Sequence, residues 1–266
     1  MVNSMKKMIC VVLATLVAMS VFAFAHAEEK SSLSDFSSRL QGNSNAQTET
    51  AEASAAEDDG MSYGPSVKID DPFFKKVRSS AYVVEDKYSK EANVMIELKN
   101  VSGRTLYPDT ASIAAYTADG KLLEEETYSS MGPEMVVDGG SLYVWDWFYG
   151  FDYATTDIGY YVVKIESETS SYTTYEQISG EALVSDGIAY ALVENKNEYD
   201  IYGVSATICI ENNEGTLLDV CDVSTGNAVG IFPGSVMILR DNAKDYQNDS
   251  YLTEAKATAV VLHEID

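Results

Sequence analysis

The chain has 266 residues, 18 Lys and Arg against 42 Asp and Glu, a formal charge of −24, and 45% hydrophobic and 11% aromatic residues. That aromatic share excludes a chain disordered throughout, and the acidity argues against a nucleic-acid partner, because phosphate recognition needs clustered Lys and Arg. Three Cys and two His exclude a disulfide-dense scaffold and a Cys-rich metal module, and leave little material for a His-based site.

Residues 1–27 read as a signal peptide for secretion. Lys6 and Lys7 supply the positive start, residues 8–25 are free of charge, and Ala25-His26-Ala27 is a small-x-small cleavage site. The alternative is an uncleaved anchor, since about eighteen mostly apolar residues nearly span a bilayer. Cys10 sits too early in the apolar run for a lipidation site. The segment holds two Lys and no acid, so cleavage takes the formal charge to −26 and leaves one His and two Cys. No later stretch is long and apolar enough for a second span, so none is expected.

Residues 28–62 turn to Ser, Ala, Glu, Asn and Gln, with few large apolar side chains. Such a stretch buries too little surface to offset its conformational entropy, and a disordered acidic linker is expected.

Beyond it the apolar period is two, rich in Val, Ile, Tyr and Thr, with turn residues every ~8–14 positions. Val94-Met95-Ile96-Glu97-Leu98, Ser112-Ile113-Ala114-Ala115-Tyr116, Tyr143-Val144-Trp145 and Tyr161-Val162-Val163-Lys164-Ile165 are the clearest strands of the first half. An internal repeat follows at a shift of 95 residues. Asn100, Tyr107, Ala111, Ile113, Gly120, Leu122 and Leu123 fall on Asn195, Tyr202, Ala206, Ile208, Gly215, Leu217 and Leu218. With a slip of one residue Gly140 falls on Gly234 and Trp145 on Leu239; with a further slip Val162-Val163 meets Val260-Val261. A period near 95 is too long for a solenoid unit and suits a β-sandwich. The expected fold is all-β: two tandem immunoglobulin-like β-sandwich domains at 63–168 and 180–266, after the signal peptide and spacer. Gly120 and Gly215 close four-residue hairpin loops where positive φ suits glycine, and Asn100 and Asn195 cap the end of the first core strand.

The order of an apolar strand, Asn, a polar loop, an alternating strand, Asp/Glu-Gly, Leu-Leu and a Gly-opened strand resembles the FxLYD-type domains and related bacterial immunoglobulin-like modules of exported proteins. The better copy is Val94 to Trp145, which contains the run from Asn100-Val101-Ser102-Gly103 through Leu122-Leu123; the second departs at Glu211, where the first has Tyr116, and at Leu239, aligned with Trp145. The resemblance implies a bacterial, extracellular accessory module without a shared catalytic site, and fold alone carries no activity.

The densest candidate site is the aromatic run from Tyr143 to Tyr153. Flat rings at a surface stack on sugars, which makes Trp147, Tyr149 and Tyr153 candidate ligand contacts, while the alignment with Leu239 puts Trp145 in the core. Core packing of the whole run is the competing reading. Cys209 and Cys221 flank the second hairpin. Pairing Glu211 with Thr216 sets Cys209 against Leu218 and Cys221 against Ala206, so the two form a disulfide only if the hairpin bends, and otherwise stay as buried thiols. Acidic runs such as Glu124-Glu125-Glu126 lack calcium-loop spacing, and nothing ties a nucleophile to His263. No cofactor or metal is expected. The resulting expectation is a secreted or cell-surface, non-catalytic protein that recognises a protein or glycan partner. The alternatives are a glycan-active enzyme using carboxylates in the interdomain cleft, and a ligand-free spacer.

Overall fold

The structure is a computed structural model that describes residues 61–85, 90–149, 158–171, 173–226, 229–246 and 248–265. The predicted signal peptide and the spacer up to residue 60 lie outside the described residues. All described residues fall in one compact unit, and no helix occurs among them.

Alternating side chains along the first half give each strand one face for a core. Strands β1 (Met61–Tyr63), β3 (Phe74–Glu85), β4 (Lys90–Asn100), β8 (Ser141–Phe148) and β7 (Ser130–Gly132) form one sheet in that order; β2 (Ser66–Ile69), β9 (Tyr160–Glu168), β5 (Tyr107–Tyr116) and β6 (Leu122–Glu126) form the other. Between them lie Val94, Ile96 and Leu98 of β4, Leu142, Val144 and Phe148 of β8, Ile113 of β5, and Tyr161 and Val163 of β9. The second half repeats this sandwich. Strands β11 (Gly180–Ser185), β12 (Ile188–Glu194) and β15 (Val236–Asn242) face a sheet of β10 (Thr174–Ile178), β18 (Lys256–Ile265), β13 (Tyr202–Glu211) and β14 (Leu217–Ser224). Its core holds Val193, Val204, Ile208, Ile210, Leu218, Leu239 and Val261. A short ribbon of β16 (Lys244–Asp245) and β17 (Ser250–Tyr251) stands beside it.

The repeat is carried by a matched pair of asparagines. Asn100 Nδ2 donates to the carbonyls of Arg104 at 2.8 Å and Val136 at 2.9 Å, and its Oδ1 accepts from Ser102 N at 2.9 Å. Asn195 Nδ2 donates to Tyr199 at 2.8 Å and Ile231 at 2.7 Å, and its Oδ1 accepts from Asn197 N at 2.9 Å. Both are buried, and these three partners are each displaced by 95. Gly120 (φ 89°) and Gly215 (φ 82°) take the expected positive φ, each donating its N–H to the carbonyl of Thr117 or Asn212, but Tyr116 faces Leu122 and Glu211 faces Leu217, so each connection is five residues long and not four.

Three details of the predicted alignment are corrected. The slip at Gly140 does not occur: Gly139 and Gly234 donate to the carbonyls of Asn100 and Asn195, and Leu98 opposite Leu142 matches Val193 opposite Met237. Trp145 therefore corresponds to Arg240, not Leu239. The later shift is 96, because Ala111 faces Ile165 as Ala206 faces Val261. Strand β10 also lies in the gap left between the two predicted domains, paired with β18.

Replacing Asn100 or Asn195 by Ala leaves several buried backbone groups without partners. Each substitution is expected to cost about 2–4 kcal/mol, and the two costs should be alike. Urea unfolding of both variants checks this; a cost near zero for either contradicts the clamp.

Candidate binding cleft between the two sandwiches

The outer face of the β3-β4-β8 sheet is not left to solvent. Tyr82, Met95 and Tyr143 pack there against Cys209, Leu217 and Val220 of the β13–β14 hairpin, with Trp145 and Tyr246 against the cluster. At its edge Arg78 reaches across. Its Nε donates to Glu97 Oε2 at 2.6 Å, and its Nη1 donates to Glu211 Oε2 and to the Gly215 carbonyl, the latter at 2.8 Å. Glu97 Oε1 accepts from Ser141 Oγ at 2.7 Å, and Glu211 Oε1 pairs with Lys256 Nζ at 2.5 Å. Burial alone would push the Glu211 carboxyl up, but Lys256 and Arg78 hold it below its ordinary value. Tyr82 adds a hydrogen bond from its hydroxyl to the Leu217 carbonyl at 2.6 Å. Gly132 is required by the same approach, since a Cβ there would stand 2.5 Å from Thr207 Oγ1.

The cysteines are drawn into this joint separately. Glu211 faces Leu217, and a bulge between Ile210 and Glu211 shifts the register by one more, so Cys209 faces Val220 and Cys221 faces Ile208. This corrects the predicted pairing of Glu211 with Thr216. Both cysteines are free and buried, Cys209 in the joint and Cys221 in the second core. Burial pushes the Cys209 thiol up to about 12, so it is protonated at neutral pH and a poor nucleophile.

Beside the joint opens a cleft of about 410 Å³ lined by Trp145, Asp219, Asp222, Asp241, Lys244, Tyr246 and Tyr251, among others. Asp219 forms its floor. Its Oδ1 accepts from Val220 N and its Oδ2 from Lys244 N, both at 2.8 Å. Burial, with Asp241 nearby, outweighs those two N–H donors and pushes the Asp219 carboxyl up to about 6. Asp222 Oδ1 accepts from Thr207 Oγ1 at 3.0 Å. Lys244 Nζ pairs with Asp249 at 2.8 Å and lies 5.3 Å from the Tyr246 ring centre.

The aromatic run reaches this cleft from the first sandwich. Trp145 is half-buried at the joint, which corrects its expected place in the sandwich core. Trp147 meets Tyr246 edge-on at 4.8 Å between ring centres and lies 6.2 Å from Tyr149, nearly parallel. Tyr149 and Tyr251 are 63% and 66% exposed. Trp147 and Tyr149 thus belong to one row of rings, while Tyr153 lies outside the described residues. Sequence reading missed Tyr246, Tyr251 and the three aspartates. The spacing of residues near 145 and near 219–251 holds no signal that they meet.

Other chemistry is sparse. His263 is buried, its Nδ1 against the Glu264 carbonyl at 2.9 Å and its Nε2 against Glu176 Oε2 at 3.2 Å, so both ring nitrogens are engaged. Among the described residues no group of three His, Cys, Asp or Glu is placed to hold a metal ion, and no helix is long and apolar enough to cross a membrane.

No known family model matches the chain, and no curated protein matches it. Among solved structures it is similar to red sea bream transglutaminase, with 12% identity and a TM-score of 0.19, over 70% of this chain and 29% of that one. The chain spans less than a third of that protein's length.

A carboxyl raised on folding favours the native state while protonated and loses that contribution as pH rises to its folded value. For Asp219 the window runs from about 4 to about 6. Between pH 4 and pH 7 the parent should lose up to about 3 kcal/mol relative to Asp219→Asn. Denaturant midpoints of both proteins across that range check the sign; a parent that gains stability relative to the variant contradicts it.

Proposed function

We propose that the chain is an exported, non-catalytic binding protein of the FxLYD-like, immunoglobulin-like type, and that the cleft and its aromatic row take a glycan. The observation that carries this reading is the continuity of Tyr149, Trp147 and Tyr246 with a cleft lined by carboxylates. Sugar rings offer apolar C–H faces to aromatic planes and hydroxyl donors to carboxylate oxygens, and this arrangement supplies both. A protein partner would be held by the same rings with less use for several acceptors in one pocket.

A binding role also fits the state of the most buried carboxylate. Both Asp219 oxygens accept from backbone N–H groups, so it is tied into the fold as a fixed acceptor in the cleft. The signal-like segment and the acidic stretch after it support export of such a module and a tether for it.

A panel of soluble oligosaccharides titrated against the parent tests the reading. Tyr149→Ala and Tyr251→Ala remove exposed rings, so each should shift unfolding by less than about 0.5 kcal/mol. Each should also weaken binding by roughly tenfold or more. Unchanged affinity in both variants contradicts the ring row as the site, and release of cleaved sugar by the parent contradicts the non-catalytic assignment.

A further inference from the structure

The cleft beside the joint is lined by charges that do not balance. Asp219, Asp222 and Asp241 stand in its wall against one cation, Lys244. That cation is already engaged, since Lys244 Nζ pairs with Asp249 at 2.8 Å. The donors that reach the three aspartates are neutral. Asp219 has the backbone N–H groups of Val220 and Lys244 and the Cys221 thiol; Asp222 has the Thr207 hydroxyl; Asp241 has the Asn242 N–H at 2.7 Å. None of the three forms an ion pair among the described residues.

Two of these carboxylates are within reach of a ligand. Asp222 and Asp241 are exposed, whereas Asp219 is buried beneath them as a fixed floor. The negative charge of Asp241 adds to burial in raising the Asp219 carboxyl, and a cation in the cleft would work against both effects. The rings decide what kind of cation fits. Trp145 and Tyr246 line the cleft half-buried, and Tyr251 lines it exposed. Lys244 Nζ lies 5.3 Å from the Tyr246 ring centre, so that ring already faces one ammonium at cation–π range. A neutral sugar satisfies the rings and leaves the carboxylate charge unanswered, and an acidic sugar adds to it. An amino sugar brings an apolar ring face and an ammonium on one molecule, and its charge-assisted hydrogen bonds are roughly twice as strong as neutral ones.

We propose, resting on the glycan reading above, that the cleft selects glycans with free amino groups, their ammonium groups answered by Asp222 and Asp241 and their rings by Tyr246 and Tyr251. Acetylation of the amine removes its charge and with it the advantage. The charge of −24 on the whole chain draws such a polycation toward the cleft. Added salt therefore weakens its binding more than that of a neutral glycan.

Calorimetric titration of the full chain at about pH 6, where a sugar amine is largely protonated, tests this with hexamers of β-linked glucosamine, N-acetylglucosamine and glucose. The glucosamine hexamer should bind at least about tenfold more tightly than the other two. Asp222→Asn and Asp241→Asn keep an acceptor at each place and remove its charge, so each should cut that preference about fivefold or more. Spermine, a polycation without sugar rings, should bind at least about tenfold more weakly than the glucosamine hexamer. Equal affinity for the acetylated or neutral hexamer overturns the selection of amines and leaves the glycan reading standing. No binding of any hexamer overturns both. A preference indifferent to both substitutions, or spermine bound as tightly as the glucosamine hexamer, assigns the effect to the acidic surface at large and overturns the proposal.

Discussion

The arrangement depends on one largely buried cation. The Arg78 side chain is 14% exposed, and the Glu97 and Glu211 side chains that flank it are 10% and 9% exposed. Desolvating three charges is costly, and their attraction offsets that cost only where geometry and extra hydrogen bonds are good. Here Ser141, Lys256 and the Gly215 carbonyl supply those extra partners. Such a network adds little net stability compared with apolar packing, but its hydrogen bonds are all made in this alignment of the two sandwiches. The cleft walls come from both, so the shape of the site follows from that alignment.

The two halves share a frame and differ in what they present. The asparagine clamp, the bulged hairpin and the turn glycine recur in register, because each satisfies buried backbone groups that any copy of this fold must satisfy. The outer sheet face is free of that constraint. At matching places it carries Tyr143, Trp145 and Glu97 in one copy and Ile238, Arg240 and Leu192 in the other. One face is specialised for a joint within the chain, and on the other Ile238 and Arg240 are exposed while Leu192 is fully buried.

Much of the fold was legible because alternation, turn glycines and the repeat all arise from local backbone needs. The strands around Val94, Ile113, Val144 and Val163 were found in this way. Trp145 was misplaced because a strand buried on both faces reads as apolar whichever face is chosen, and matching it to Leu239 required a slip that the Asn100 and Asn195 contacts forbid. The register of Cys209 and Cys221 was missed because a bulge leaves no mark in the sequence. Half of the candidate site was legible as an aromatic run. The rest, Tyr246, Tyr251 and the aspartates, comes from another part of the chain and is assembled only by the joint.

The most direct test of the joint is a double-mutant cycle on Arg78→Met and Glu211→Gln, with unfolding free energies of the parent, both single variants and the double variant. A buried, charge-assisted pair predicts a coupling of about 2 kcal/mol or more, the double variant losing less than the sum of the two single losses. Additive losses, with a coupling within about 0.5 kcal/mol of zero, would contradict the claim that this contact aligns the two sandwiches.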